Sequence, residues 1–153
     1  MIEIVDYEEQ YRTAFRDINV EWISHYFTME AEDYKYLEHP QENIIDQGGA
    51  ILVALIDNEP IGICALIKMT EEKYELAKMG VRPAARGKKI GWQLGQGIIN
   101  KAKEKKAKTL VLESNRILTP AISLYRKLGF KEVVKSCSPY ARCDIQMAMD
   151  IIV

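Results

Sequence analysis

The run from 81 to 91, Val-Arg-Pro-Ala-Ala-Arg-Gly-Lys-Lys-Ile-Gly, places a basic, glycine-containing loop between a strand-like segment and a long helical pattern. The first backbone N–H groups of a helix have no intrahelical partner and lie at the positive end of the helix dipole, so they bind phosphate oxygens well. Gly87 and Gly91 let the backbone come close to such a group. Positive charge is added by Arg86, Lys88 and Lys89. The segment predicts a site for a phosphate-bearing ligand.

The loop has two other possible interpretations. A basic helix start can be solvated and bind nothing, since charged residues at helix ends are common. A nucleotide-binding P-loop is a weaker match, because it ends in Lys followed by Ser or Thr and that ending is absent here.

A carboxylate lies inside the strand-like segment that precedes the loop. A regular pleat over 74–81 would place Glu75 on one face with Ala77, Met79 and Val81, and Leu76, Lys78 and Gly80 on the other. Glu75 would then lie among apolar neighbours, where burial raises the pKa of a carboxyl group and makes it a better base. A solvent-exposed strand carboxylate is the alternative, and Glu113 is a second candidate for the base.

Changes in hydrophobic period define the elements that must position these groups. Helical spacing or helix-start signals occur at 8–27, 31–37, 40–46, 89–106 and 119–128, the last of these closed by Gly129. Strand patterns occur at 2–5, 50–56, 61–69, 73–81, 109–112, 131–134 and 144–151. This order predicts an α/β chain with a mixed sheet covered by helices on both faces.

Composition limits the remaining possibilities. With 153 residues, 48% of them hydrophobic and 28% charged, we expect one domain over 1–153 with one core. A net charge of −1 argues against nucleic acid as a partner, and no apolar run approaches the roughly 20 residues that span a membrane. The three cysteines lack the spacing of metal ligands and are odd in number, so neither a metal site nor a disulfide framework is expected. Met1–Asp6 shows no targeting signal, and the expected compartment is the cytoplasm.

The loop at 86–91, the segment Ala-Ile-Ser-Leu-Tyr-Arg-Lys-Leu-Gly-Phe at 121–130 and the order of elements together resemble the GNAT superfamily of N-acetyltransferases. These enzymes transfer acetyl from acetyl-CoA to an amine, and the resemblance covers nearly the full length. It implies a mixed, mostly antiparallel, twisted sheet of six to seven strands with helices on both faces. Homodimers are frequent in the family, so a homodimer is among the implied states.

One position departs from the family pattern. The phosphate loop of the family has an inner glycine where this chain has Lys89, whereas Arg86 and Gly91 match. If this position requires a positive φ, lysine is strained there by about 1 kcal/mol or somewhat more. Alternatively, Lys89 stays helical and its ammonium contacts a phosphate.

The resemblance also implies roles in cofactor binding. The family's counterpart of the strand at 73–81 carries a bulge and splays from its neighbour, which frees backbone groups for the pantetheine arm and the thioester carbonyl. Here those groups are the amides of Met79 and Val81, and Asn115 matches a position that contacts the same arm, although an isolated Asn is otherwise a turn residue. The implied cofactor-binding residues are Met79, Val81, Arg86, Gly87, Lys88, Lys89, Ile90, Gly91 and Asn115.

Catalytic roles follow from the same resemblance. Glu75 matches a glutamate that removes a proton from the acceptor ammonium, a step that is needed because an amine of pKa near 10 is protonated at neutral pH. Tyr125 matches the tyrosine that protonates the departing thiolate, although a tyrosine in such a place can simply pack its ring. An acceptor site is implied near Trp22, His25, Tyr26, Phe27, Tyr140 and Arg142. The acceptor's identity stays open, and an acyl-CoA-binding module without turnover is the alternative function.

The glycines of the long helix at 89–106 also need an explanation. Gly91 and Gly95 share one helical face, and glycine inside a helix costs roughly 1 kcal/mol relative to alanine. A close approach of the backbone to a ligand or to the sheet would account for them.

Overall fold

The computed structural model describes residues 1–134 and 136–151. These residues form seven strands in one sheet and four α-helices. The strands are β1 Ile2–Asp6, β2 Ala50–Ile56, β3 Glu59–Lys68, β4 Lys73–Val81, β5 Thr109–Ser114, β6 Lys131–Val133 and β7 Ile145–Asp150. The helices are α1 Arg12–Tyr26, α2 Ala31–Glu38, α3 Ile90–Glu104 and α4 Thr119–Leu128.

The elements predicted from hydrophobic period are confirmed in type and nearly in position. A 3₁₀ turn at Glu9–Tyr11 precedes α1, so the predicted helix over 8–27 is divided near its start. The predicted helix over 40–46 is a π-helical turn, Gln41–Ile45. Gly129 closes α4 with φ +116°, a conformation that glycine adopts without the steric cost of a side chain.

The sheet order is β1-β2-β3-β4-β5-β7-β6, and every neighbouring pair is antiparallel except β4 and β5. This arrangement confirms the predicted mixed, mostly antiparallel sheet. The parallel pair needs a long crossover, and α3 supplies it.

Helices cover both faces of the sheet, and the core lies in two layers. Leu94 of α3 and Leu128 of α4 pack with Leu66 on one face. On the other face, Phe15 of α1 and Leu37 of α2 pack with Ile63. Each such side chain contributes about 1.5–3 kcal/mol when fully buried, so the central strands are held from both sides.

The parallel ladder between β4 and β5 is short. Its register runs from Lys73 opposite Thr109 to Glu75 opposite Val111, and among the described residues it stops there. Because β4 continues to Val81 and β5 to Ser114, the two strands separate beyond Glu75. The splay that the family resemblance implied is present.

A β-bulge in β4 overturns the predicted pleat. Ala65 lies opposite Ala77 and Ile63 opposite Gly80, so β4 carries one more residue than β3 between these pairs. Lys78 lies at this extra position with φ +54°. The bulge shifts the alternation of faces, and the prediction that Met79 and Val81 share a face with Glu75 is therefore wrong.

The side chains around β4 identify the true faces. Tyr74, Leu76, Met79 and Val81 belong to the layer of α3 and α4. Ala77 belongs to the layer of α1, and a methyl group added at Gly80 would touch Trp22 of α1 at 2.6 Å. The faces predicted from regular strand alternation are wrong beyond the bulge, because the position of a bulge is decided by pairing with β3 and not by local hydrophobic spacing.

Candidate active site

A cavity of about 730 Å³ opens where β4 and β5 separate. Its walls come from β4, the starts of α3 and α4, the end of β5 and the segment 140–143. Ten of the eleven predicted site residues line it, namely Glu75, Met79, Val81, Arg86, Gly87, Lys89, Ile90, Gly91, Asn115 and Tyr125. Lys88 is exposed and is not among the lining residues. Residues distant in sequence thus share one cavity.

The loop end of this cavity, residues 86–91, is built mainly from backbone. Gly87 has φ +85°, and a methyl group added there would meet nothing within 4 Å, so the turn and not crowding favours glycine. Lys89 is the N-cap of α3 with φ 60° and ψ 26°, in the left-handed region. The first of the two alternatives for Lys89 is therefore confirmed, and the residue carries the strain expected of a left-handed lysine.

The N-terminus of α3 lies at this loop end. Lys89 makes no side-chain capping hydrogen bond, and an ammonium has no acceptor with which to make one. The first N–H groups of an α-helix have no partner within the helix. The loop end therefore presents donors and positive charge of the kind that binds an anion.

The two helix glycines have a different neighbour from the predicted one. A methyl group added at Gly95 would lie 2.5 Å from Leu128 of α4, and one at Gly91 would lie 3.0 Å from Leu124. The prediction that Gly95 approaches a ligand or the sheet is wrong, because its closest neighbour is α4. Gly91 contacts α4 and also lines the cavity.

Glu75 lies at the opposite, buried end of the cavity, which is formed by Glu75, Lys78, Glu113, Tyr140 and Arg142. Burial raises the pKa of Glu75 from 4.5 to about 7, and the negative charge of Glu113 adds to the rise. Its carboxylate makes no hydrogen bond or ion pair with the described residues. A carboxyl group with this pKa can accept a proton at neutral pH.

Glu113 lies on the same face of the sheet as Glu75. Glu75 is opposite Val111, and Glu113 follows Val111 by two residues along β5, so the two carboxylates are diagonal neighbours across the splay. The carboxylate of Glu113 accepts hydrogen bonds from Ser138 Oγ at 2.5 Å and from Gln146 Nε2 at 3.4 Å. The same face thus holds Glu75, which has no hydrogen bond to a described residue, and Glu113, which is oriented by its neighbours.

Tyr125 lines the cavity and is 9% exposed. Its ring meets Phe130 edge to face, with centroids 6.1 Å apart. Burial raises the pKa of Tyr125 above its usual value, and Cys64 adds to the rise. The phenol therefore remains a neutral hydrogen-bond donor at neutral pH.

A buried ionic network, which strand periodicity did not predict, joins α2, β4 and the segment before β7. Lys78 Nζ donates to Asp33 Oδ1 at 2.6 Å and to the Tyr140 hydroxyl at 2.9 Å. Arg142 donates from both terminal nitrogens to the Asp33 carboxylate, at 2.8 and 2.5 Å, and it also pairs with Glu30 at 3.3 Å. The network anchors the bulge of β4 to α2 and to the segment before β7.

Asp33 is completely buried and charged. Burial alone would raise its pKa, but the hydrogen bond from Arg142 and the charge of Lys78 outweigh this effect and lower the pKa from 3.8 to about 2. The only signal for Asp33 in the sequence is local. Glu30 and Asp33 form a capping box at the start of α2, which predicts a helix start but not the contacts with Lys78 and Arg142.

Five of the six residues predicted near an acceptor line the cavity, namely Trp22, Tyr26, Phe27, Tyr140 and Arg142. His25 is exposed, lies outside the lining, and packs its ring on Tyr26 with centroids 4.6 Å apart. The aromatic residues of α1 and Tyr140 therefore form a wall near the carboxylates.

Asn115 lines the cavity while it shapes the loop after β5. Its amide nitrogen donates to the Arg142 carbonyl at 2.7 Å, and its amide oxygen accepts from Ile117 N–H at 2.9 Å. These bonds correspond to the turn-residue alternative, and a second amide proton remains for another partner. The predicted contact with a cofactor stays a prediction.

Sequence comparisons identify relatives of the chain. The model of the Acetyltransferase (GNAT) family matches residues 14–130. The chain is 32% identical over 92 residues to the uncharacterized N-acetyltransferase YjgM of Escherichia coli, a match that covers 59% of this chain and 55% of YjgM. A match of 31% identity to the probable N-acetyltransferase camello of Xenopus laevis covers 58% of this chain and 41% of camello. The chain thus spans about half the length of these relatives.

Solved structures have the same fold. An acetyltransferase of the GNAT family from Staphylococcus aureus Mu50 superposes with a TM-score of 0.90 at 21% identity, over 99% of this chain and all of the other. The PaiA N-acetyltransferase of Thermoplasma acidophilum, solved in complex with coenzyme A, gives a TM-score of 0.78 at 21% identity, over 98% and 99% of the two chains. Among the described residues, no helix has the length and apolarity that crossing a bilayer requires.

Proposed function

Because the chain belongs to the acetyltransferase (GNAT) family, we propose that it transfers acetyl from acetyl-CoA to a primary amine by direct attack in a ternary complex. One observation carries this proposal. A single cavity joins an anion-binding loop at the start of α3 to a partly buried carboxyl group whose pKa is about 7.

The loop end is proposed to hold the cofactor's pyrophosphate. Backbone N–H groups at the start of α3 would bind the phosphate oxygens, and Arg86 and Lys89 would add charge-assisted contacts. The amides of Met79 and Val81 would face the pantetheine arm and the thioester carbonyl from the strand that leaves β5. PaiA shares the fold and was solved with coenzyme A, which supports coenzyme A as the kind of ligand proposed here.

Glu75 is proposed as the general base. It would take a proton from the acceptor ammonium, directly or through one water, so that the amine nitrogen can attack the thioester carbonyl carbon. A carbon–nitrogen bond forms as the carbon–sulfur bond breaks, and the sulfur leaves as a thiolate. The second proton that the nitrogen must lose passes to this thiolate, so the products are the acetylated amine, coenzyme A as a thiol and protonated Glu75. A base with a pKa close to the working pH is the most effective for such a step, and it contributes about 10²- to 10⁴-fold.

Tyr125 is proposed to stabilise the leaving thiolate. The thiolate needs a proton or a strong hydrogen bond, and the phenol lines the cavity. Since burial raises the pKa of Tyr125, the phenol would keep its proton and donate a hydrogen bond to the sulfur while the carbon–sulfur bond breaks.

Two measurements on the purified chain test this function. Calorimetry with acetyl-CoA reports binding, and release of free thiol in the presence of a panel of amines reports turnover. Binding together with amine-dependent thiol release and a mass gain of one acetyl group on the amine is the expected result. Tight binding without release across the whole panel would favour an acyl-CoA-binding module instead.

A further inference from the structure

The charges of the cavity differ between its two ends. Among the described residues, its charged lining consists of Glu75, Lys78, Arg86, Lys89, Glu113, Lys127 and Arg142. Arg86 and Lys89 belong to the loop end, where anionic phosphates are proposed to bind. Lys78 and Arg142 are the cations of the buried end as defined above. Whether this end attracts an anionic or a cationic acceptor therefore depends on whether carboxylates of the protein already neutralise these two side chains.

Both cations of the buried end are compensated within the protein. Lys78 forms an ion pair with Asp33 at 2.6 Å, and Arg142 pairs with Asp33 at 2.5 Å and with Glu30 at 3.3 Å. Two cations therefore face two carboxylates, and the network is neutral as a whole. Its donors point at Asp33, Glu30 and Tyr140, so an anionic acceptor would have to compete with buried partners.

Two carboxylates of the buried end form no ion pair with the described residues; Lys78, whose ammonium is bonded to Asp33, acts on Glu75 only as a nearby charge. Glu75 makes no hydrogen bond or ion pair with them and opens onto the cavity. Glu113 receives hydrogen bonds from Ser138 and Gln146, both of them neutral donors, and keeps lone pairs for another donor. After the paired charges are set aside, this end of the cavity is acidic.

The wall next to these carboxylates is aromatic. Trp22 and Tyr26 reach the cavity from α1 and Phe27 from its C-cap, and Tyr140 lines the cavity as well. Faces of aromatic rings attract cations, and the rings of Tyr140 and Phe27 already lie near the guanidinium of Arg142, at 4.6 and 5.9 Å. Carboxylates beside aromatic faces form a surface that suits an alkyl ammonium.

We propose that the acceptor is a linear amine that carries a second cationic group, with one nitrogen placed at Glu75 and the other held by Glu113 and the aromatic wall. This inference rests on the proposed function and adds the class of acceptor to it. The nitrogen at Glu75 loses its proton and is acetylated. The distal nitrogen keeps its proton and contributes binding through a charge-assisted hydrogen bond to Glu113.

Three amines of equal chain length test the acceptor class. They are 1,4-diaminobutane, n-butylamine and 4-aminobutyrate, whose distal ends are cationic, neutral and anionic. We expect kcat/KM to be about tenfold or more higher for the diamine than for n-butylamine, the change that one charge-assisted hydrogen bond produces, and lowest for 4-aminobutyrate. Equal kcat/KM values for the three amines, or a preference for 4-aminobutyrate, would overturn the inference and leave the proposed function intact.

A matched pair of variants assigns the preference to Glu113. Glu113→Gln keeps the shape of the side chain and removes its charge, so the ratio of kcat/KM for diamine over n-butylamine should fall to near one. The ratio isolates distal recognition, because any effect on Glu75 is common to both amines. Glu104→Gln, an exposed residue at the end of α3 outside the cavity, should leave the ratio unchanged. An unchanged ratio in Glu113→Gln would contradict the assignment.

Binding measurements separate failure of the inference from failure of the proposed function. If no amine is acetylated although acetyl-CoA binds, the proposed transfer is wrong, and the acceptor class is then decided by calorimetry on protein saturated with coenzyme A. Binding of 1,4-diaminobutane about tenfold tighter than that of n-butylamine, and lost in Glu113→Gln, would support the inference. Equal binding of the two amines would overturn it.

Discussion

The two ends of the cavity are built by different means. At the loop end, residues 86–89 lie at the surface or near it, and the expected ligand contacts come from backbone N–H groups at a helix start. At the buried end, side chains from α2, β4, β5 and the segment before β7 meet in ionic and hydrogen-bonded contacts. Backbone donors tolerate changes of side chain, whereas a buried ionic network fails when one member is removed. The loop end therefore depends on local conformation, and the buried end depends on tertiary structure.

Substitution of Asp33 should have the largest effect on stability, because it removes the shared partner of the ionic network at the buried end. Asp33→Asn leaves Lys78 and Arg142 buried without their shared partner, and loss of one member of a buried pair costs about 3–5 kcal/mol in the free energy of unfolding. Urea unfolding measures this change. Asp17→Asn is the control, since Asp17 forms an exposed pair with Arg16 and should cost less than about 1 kcal/mol. Equal losses in the two variants would refute the difference between buried and surface pairing.

The pH dependence of stability tests the same carboxylate. The pKa of Asp33 is about 2 in the folded chain against 3.8 ordinarily, so its contribution is present above about pH 4 and is lost as the pH falls towards 2. Wild-type protein should lose stability over this range more steeply than Asp33→Asn. Parallel curves for the two proteins would show that Asp33 is not held in its ionised form by the network.

Substitution of Tyr125 tests its proposed role in the departure of the thiolate. Tyr125→Phe keeps the ring contact with Phe130 and removes the hydroxyl, so kcat should fall about 10- to 100-fold while the affinity for acetyl-CoA changes little. Steady-state kinetics and calorimetry measure the two quantities. Unchanged kcat would exclude Tyr125 from the departure of the thiolate, whereas a fall in affinity alone would assign it to cofactor binding.

Glycine substitutions at Lys88 and Lys89 test for backbone strain at the loop end. Lys89 has φ 60°, and the adjacent Lys88 is exposed without a positive φ. Glycine relieves left-handed strain of roughly 1–2 kcal/mol but adds freedom to the unfolded chain, so Lys89→Gly should be more stable than Lys88→Gly by about 1 kcal/mol. Thermal unfolding of both variants checks this difference. Equal stability would mean that Lys89 carries no strain.

Features of the fold that depend on local sequence could be predicted, whereas those that depend on tertiary contacts could not. The order of helices and strands was predictable because hydrophobic period and helix-end residues such as Gly129 act over a few positions. The face of Met79 was not, because the bulge at Lys78 depends on register with β3. The partner of Gly95 was also not predictable, since contact with Leu128 requires the packing of two helices.

The two ends of the candidate site also differ in how well they could be predicted. Its loop end was predicted from a contiguous run, and only the exposed Lys88 lies outside the cavity lining. The network at the buried end pairs Asp33 with Lys78 and Arg142, partners that are 45 and 109 residues away in the chain. A single sequence holds no local signal for such pairs, so the contacts of Asp33 with Lys78 and Arg142 were found only in three dimensions.

The smallest expected effect is a shift of the pH profile in Glu113→Gln, which tests the electrostatics of the buried end. The negative charge of Glu113 adds to the effect of burial on the pKa of Glu75. Its removal should move the acidic limb of kcat/KM to lower pH, while burial still holds the pKa of Glu75 above 4.5. A limb that moves to higher pH in this variant would contradict the assigned direction.

The pH profile of kcat/KM in wild-type protein and in Glu75→Gln tests whether Glu75 is the general base. Glu75 must lose its proton to act as a base, so the wild-type rate should rise with pH through about 7, the pKa of Glu75. In Glu75→Gln the rate should fall about 10²- to 10⁴-fold and lose this limb, with acetyl-CoA affinity retained. A limb near pH 7 that persists in Glu75→Gln at an undiminished rate would contradict the account.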